Sequence, residues 1–190
     1  MKNVFLAFLL LFSIFYDSHS QEEKRMPTGS IPLLKHFEST DYHGGIQNWS
    51  MDQNSLGILY VANNNGLLEF DGNQWILYDV PLCTKLRAVK VDQQNKVFVG
   101  GQGQIGYFDM AESGLTFTSL LDLLPPNYQA ISEVWKIIEH DDKIFFNTES
   151  QIFVYDYSEI KVLQIPGYPR LAFDVENRLL VQFYILLSRN

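Results

Sequence analysis

The run Gly101-Gln102-Gly103-Gln104-Ile105-Gly106 fits G-x-G-x-x-G and follows a strand-like stretch. A dinucleotide site of that form needs a helix next, so that the helix N-terminus meets the pyrophosphate. Tyr107-Phe108-Asp109 follows instead, an aromatic strand end entering a turn, so the run reads as the joint of a β-hairpin. His19, His36, His43 and His140 are the histidines, and no two share a metal-ligand spacing. Asp141-Asp142 lacks the alternating acidic ladder of a calcium loop and falls where a hairpin turn is expected. Glu69, Asp71 and Glu133 are carboxylates of the type that hydrolyses glycosides, a chemistry needing two of them about 5–10 Å apart across a pocket. The sequence pairs none of the three, and no G-x-S-x-G nucleophile elbow is present. No catalytic residue, cofactor or metal ligand is assigned, and the chain is expected not to be an enzyme. Trp49, Trp75 and Trp135 are the candidate ligand contacts, because indole offers a broad apolar face with a polar handle. Trp49 and Trp135 also open equivalent strands in two sequence repeats, which favours a packing role. Both readings stand at this point.

The elements that must position these residues are short strands. The stretch from Gly57 to Pro81 gives three of them, Ile58–Ala62, Leu67–Phe70 and Trp75–Asp79, joined at Asn63-Asn64-Asn65-Gly66 and Asp71-Gly72-Asn73. Asn and Gly tolerate the positive φ of tight hairpin turns, so these joints are strong hairpin signals. With Gln47–Asp52 upstream they form a four-stranded antiparallel meander. The unit recurs. Trp49–Gly72, Ala88–Met110 and Trp135–Tyr157 align strand for strand, and Arg170–Phe183 begins a fourth copy. The first three copies close on an aromatic-Asp pair, Phe70-Asp71, Phe108-Asp109 and Tyr155-Asp156, where the Asp is expected to accept backbone N–H groups as the strand exits. A loop excursion around Pro125-Pro126, within Ser119–Ser132, lengthens the second interval. A period near 40 residues points to propellers or solenoids. A meander with two apolar faces cannot bury both alone, whereas radial stacking buries each against a neighbour. The expected fold is all-β: an incomplete β-propeller of about three four-stranded antiparallel blades plus part of a fourth. Ile31–Thr40 is expected to form an isolated strand and Asp41–Gly45 a turn.

Composition agrees. The chain has 190 residues, 46% hydrophobic and 14% aromatic, enough for one domain with a core and biased toward strands. A net charge of -8 without a Lys/Arg cluster argues against nucleic acid as a partner. Lys2, the apolar run Val4–Tyr16 and Ser18-His19-Ser20 form a secretory signal peptide over 1–20, with cleavage between Ser20 and Gln21. Residues 21–30 read as a flexible leader and 31–190 as the propeller domain. No other segment has the length to span a membrane. Cys83 is the only cysteine, so it forms no intrachain disulfide.

Asp41 to Trp75 (DYHGGIQNWSMDQNSLGILYVANNNGLLEFDGNQW) resembles the first blade of the two-component-regulator propeller sensors of Bacteroidetes. KVFVGGQGQIGYFD and VWKIIEHDDKIFF resemble their later blades, and the likeness covers roughly Ile31 to Val181. The resemblance implies a periplasmic or otherwise exported propeller that senses a glycan or another small ligand. In that family a membrane helix and a histidine kinase or helix-turn-helix output follow. Here the chain stops within the fourth copy, and Tyr184–Asn190 leaves the pattern. The expectation is therefore the N-terminal piece of a signalling receptor. The alternatives are a propeller scaffold for protein–protein contact and a propeller glycoside hydrolase. Open blade edges predict self-association.

Overall fold

The computed structural model describes residues 34–81, 85–112, 114–128 and 131–184. The expected signal peptide with its Ser20/Gln21 cleavage point, the expected leader and Cys83 lie outside the described residues.

Phe37 to Tyr184 builds fourteen strands in four sheets among the described residues. The first sheet is β1 (Asn48–Gln53), β2 (Leu59–Asn63), β3 (Gly66–Phe70) and β4 (Trp75–Tyr78), paired antiparallel in chain order. The second repeats it with β5 (Leu86–Val91), β6 (Val97–Gly101), β7 (Gln104–Ala111) and β8 (Gly114–Ser119). The third is β9 (Val134–His140), β10 (Lys143–Thr148), β11 (Ile152–Tyr155) and β12 (Ile160–Val162). β13 (Tyr168–Val175) and β14 (Arg178–Tyr184) form a two-stranded hairpin, the inner half of a fourth unit. Two 3-10 turns, Leu121–Leu123 and Pro126–Tyr128, occupy the excursion between the second and third sheets.

Alternation along the strands produces the stacking. Successive side chains point to opposite faces. On β6, Val97 and Val99 join Tyr60, Ala62 and Leu67 of the first sheet, while Phe98 between them joins Ile144, Phe146 and Phe153 of the third. On β10, Ile144 and Phe146 face the second sheet, and Phe145 faces Ala172 of the hairpin. Each meander is thus buried on both faces, which is why its central strands read as continuous apolar runs.

The turns follow the side chains placed in them. Gln102-Gly103 joins β6 to β7 with Gly103 at φ 72°, so the G-x-G-x-x-G run is a hairpin joint. Asp141 and Asp142 sit at φ 48° and 53°, the pair of left-handed residues that a two-residue hairpin requires. Asp71 Oδ1 accepts from the Asn73 and Gln74 N–H groups, both at 2.8 Å. Asp156 Oδ1 does the same for Ser158 and Glu159 at 3.1 and 3.0 Å. Asp109 departs from this scheme: β7 runs past it to Ala111, and its carboxylate pairs with Lys96 Nζ at 2.9 Å.

The strand expected over Ile31–Thr40 is not formed across its described part. Ser39–Tyr42 is one turn of helix, α1. Glu38 N–H donates to Asp41 Oδ2 at 2.7 Å, a local capping bond that competes with extended pairing. The left-handed His43, at φ 53°, then reverses the chain.

Candidate functional site

The first strands of successive sheets, β1, β5, β9 and β13, lie side by side and form the inner wall. Each carries a bulge at its start. Pairing on β1 passes from Asn48–Asn63 to Ser50–Ala62 and skips Trp49. On β5 it skips Arg87, on β9 Trp135, and on β13 Arg170. A bulged residue has no cross-strand partner and its side chain is re-aimed, a device common beside binding sites.

The side chains of Trp49, Arg87 and Trp135 converge. The Arg87 guanidinium lies 3.7 Å from the Trp49 ring centroid and 4.9 Å from that of Trp135. The two indoles meet edge to face at 6.5 Å. Arg87 Nη2 donates to Glu133 Oε1 at 3.0 Å, and Trp49 Nε1 donates to Asn64 Oδ1 at 2.8 Å. The Arg87 side chain is only 9% exposed, and its Nε and Nη1 have no hydrogen-bond partner among the described residues. Cation–π contact with the indoles surrounds them instead. Trp49 and Trp135 remain 40% and 43% exposed, so both rings pack and both present surface.

Trp75 lies elsewhere. It stacks on Phe70 at 4.5 Å, meets Phe37 edge-on and packs at a tilt on Tyr42 beside α1, on the far side of the first sheet. The structure therefore brings together two of the three tryptophans singled out by sequence and adds Arg87, which sequence reasoning missed. The signal was available: Arg87 follows Trp49 by 38 residues, the interval that separates Asp71 from Asp109.

Two clefts flank Trp135. A cleft of about 300 Å³ lies between β1, β5 and β9 and is bordered by Asp52, Lys90, Trp135 and Lys136. A second, of about 580 Å³, is bordered by Trp135, Glu149, Tyr168, Leu171 and Tyr184. In the smaller cleft Asp52 Oδ2 is already engaged, by Lys90 Nζ at 2.9 Å and the Val91 N–H at 2.8 Å. Ser50 Oγ accepts the Val89 N–H at 2.9 Å, so side chains of β1 satisfy the open edge of β5. Lys136 Nζ stands 3.9 Å over the Phe173 ring, and burial lowers its pKa from the ordinary lysine value.

Of the carboxylates considered for hydrolysis, Glu69 lies within reach of the Asp71 charge, and Glu133 lies apart from both. Glu133 is paired with Arg87 on the inner wall, and Asp71 is taken up by its turn. Burial raises the Glu69 carboxyl above its ordinary value, with the Tyr60 hydroxyl opposing the shift. Burial, then the Glu69 charge, pushes Tyr60 up to about 12, and the pair sits in the seam between the first two sheets. Among the described residues no three His, Cys, Asp or Glu side chains group so as to hold a metal ion.

Solved structures share this architecture. The extracellular domain of a one component system from B. thetaiotaomicron superposes with a TM-score of 0.56 at 14% identity, over 72% of this chain and 19% of that one. The extracellular domain of a hybrid two component system from the same organism gives 0.57 at 15% identity, over 84% and 23%. Virginiamycin B lyase from Staphylococcus aureus gives 0.60 at 16% identity, over 76% and 50%. The fold is that of a β-propeller. Three blades and the inner half of a fourth are present among the described residues, spanning a fifth to a half of the length of these structures. Two of the three are extracellular domains of signalling systems, the class of protein the first-blade sequence resembles. No family model and no curated protein matches the chain. Among the described residues no helix is long and apolar enough to cross a membrane.

Proposed function

We propose that this chain is part of an extracytoplasmic, ligand-sensing propeller of a signal-transduction receptor, and that it acts by binding rather than by catalysis. The observation that carries this reading is the inner wall, where bulges in successive blades place Trp49, Arg87 and Trp135 at one mouth with both indoles half open. Aromatic surface with few polar groups beside a preformed cleft suits a small ligand. The signalling neighbours support the sensor role, and the N-terminal signal peptide read from the sequence supports export. The engagement of Asp71 by its own turn and of Glu133 by Arg87 supports a non-catalytic role.

The test is a melting-temperature screen of the purified full chain against a panel of mono- and oligosaccharides, with product analysis of every mixture. The expected result is a rise in melting temperature with at least one sugar, which is recovered uncleaved. Cleavage would favour a hydrolase. A panel without any shift, together with capture of a partner protein, would favour a scaffold. The scaffold reading has its own observation, the exposed apolar side chains of the β13–β14 hairpin.

A further inference from the structure

Glu69 sits in the seam between the first two blades. It follows Leu67 by two residues on β3, so it shares the face that packs on the second blade. Register places it beside Tyr60 of β2 and Ile76 of β4. Its Oε2 is sealed from solvent and has no hydrogen-bond partner among the described residues. The Tyr60 hydroxyl is the one side-chain hydrogen-bonding group acting on the carboxyl.

The titratable groups around it are all acidic. Tyr60 stands on β2, Tyr78 on β4, and Asp71 just beyond the end of β3. Tyr78 reaches across the seam and bonds the backbone at Leu115 of β8. From the second blade Phe108, Leu115 and Phe117 pack here, and none carries a charge. No cation acts on Glu69 among the described residues. A carboxylate oxygen sealed without a donor loses its hydration without replacement, whereas the neutral acid loses far less. Burial and the Asp71 charge therefore both favour the protonated form, and they outweigh the Tyr60 bond, which favours the charged one.

We infer that Glu69 is a proton-sensitive joint: it carries a proton when the first two blades are closed on each other, and its ionisation loosens that seam. The inference does not rest on the ligand-sensing reading. It adds the proton as an input to the same wall, because this seam also sets Trp49 of β1 against Arg87 of β5. A carboxyl raised in the folded state contributes stability that is complete below its ordinary value, 4.5, and is lost as the pH rises through the folded value. The seam is therefore tightest in acid and loosest toward neutrality.

The experiment compares melting temperatures of the full chain and of Glu69→Gln from pH 4 to pH 7, beside an NMR titration of the Glu69 carboxyl carbon in the unaltered chain. Gln copies the shape of the neutral acid and does not ionise. The other carboxyls titrate in both chains, so the difference between the two is what is read, and a constant offset from the amide drops out. That difference is expected to move in favour of Glu69→Gln by more than about 1 °C as the pH rises. The NMR midpoint is expected above 4.5. Melting curves that stay parallel across the range would overturn the joint. An NMR midpoint at or below 4.5 would overturn it as well, and that measurement decides the matter even where the variant fails to fold. Neither result bears on whether the inner mouth binds a sugar, which the saccharide screen judges separately.

Discussion

Asn63 is fully buried and uses both ends of its amide. Nδ2 donates to Gly45 O and Asn48 Oδ1, both at 2.7 Å, and Oδ1 accepts from the Gly45 N–H at 2.7 Å and the Asn65 N–H at 2.9 Å. Asn63→Ala would leave several of these groups unpaired in a dry site, so a loss of about 3 kcal/mol in unfolding free energy is expected by urea titration. A loss below about 1 kcal/mol would mean that water replaces the amide. Asp156 offers a pH test. The Glu159 N–H, the Ser158 hydroxyl and the Ser158 N–H hold its carboxyl down to about 2, below the ordinary 3.8. A depressed carboxyl contributes stability above its ordinary range and loses that contribution as the pH falls through the folded value. The β11–β12 turn is therefore expected to hold at pH 4 and to loosen toward pH 2. An NMR titration of the Asp156 carboxyl carbon checks this, since a midpoint near 3.8 would show that the N–H bonds do not persist. The turn role of Asp71 and Asp156 was legible because Asx turns are local. The tie from Asn63 to Gly45 was not, because it joins residues 18 apart that no local pattern connects.

The strands were legible for the same local reason. A two-residue period and Asn-Gly or Asp-Gly joints specify a meander, and the repeat of the meander specifies stacking. The bulges escaped notice because one extra residue leaves the apolar count of a strand unchanged. The helical turn at Ser39–Tyr42 was not legible from apolar content, because it rests on the single local bond between Glu38 and Asp41. Stacking also imposes a constraint at Gly100, where β6 meets the start of β9. A methyl added there would lie 2.6 Å from Val134 Cγ1, against a branched side chain with little freedom to move. Gly100→Ala is expected to cost about 1–3 kcal/mol. Combining it with Val134→Ala should cost less than the two changes summed, because the second makes room for the first. Additive costs in a denaturation cycle would show that the two blades do not meet there.

At the scale of the whole chain, the seams combine apolar faces with polar clamps. The Tyr157 hydroxyl donates to Asp92 Oδ2 at 2.8 Å between the second and third blades, and burial with that bond raises the tyrosine pKa. His140 Nδ1 lies 2.7 Å from Asp174 Oδ2 between the third blade and the hairpin. The hairpin itself exposes Leu171, Phe173, Val175, Leu180 and Tyr184, and β14 pairs only with β13 among the described residues. Apolar surface along an unpaired edge favours association. We predict that the full chain sediments as a concentration-dependent mixture and that Leu180→Lys shifts it toward monomer. A single monomeric species at all concentrations would contradict this. The bulge repeated on every inner strand has an evolutionary consequence. The bulged residue owes nothing to strand pairing, so its side chain can be exchanged without breaking the hydrogen-bond ladder of the blade that carries it. Trp, Arg, Trp and Arg occupy that position in turn. A lineage built by copying one blade can thus rewrite the inner mouth one side chain at a time, and diversify what it recognises while inheriting the scaffold intact.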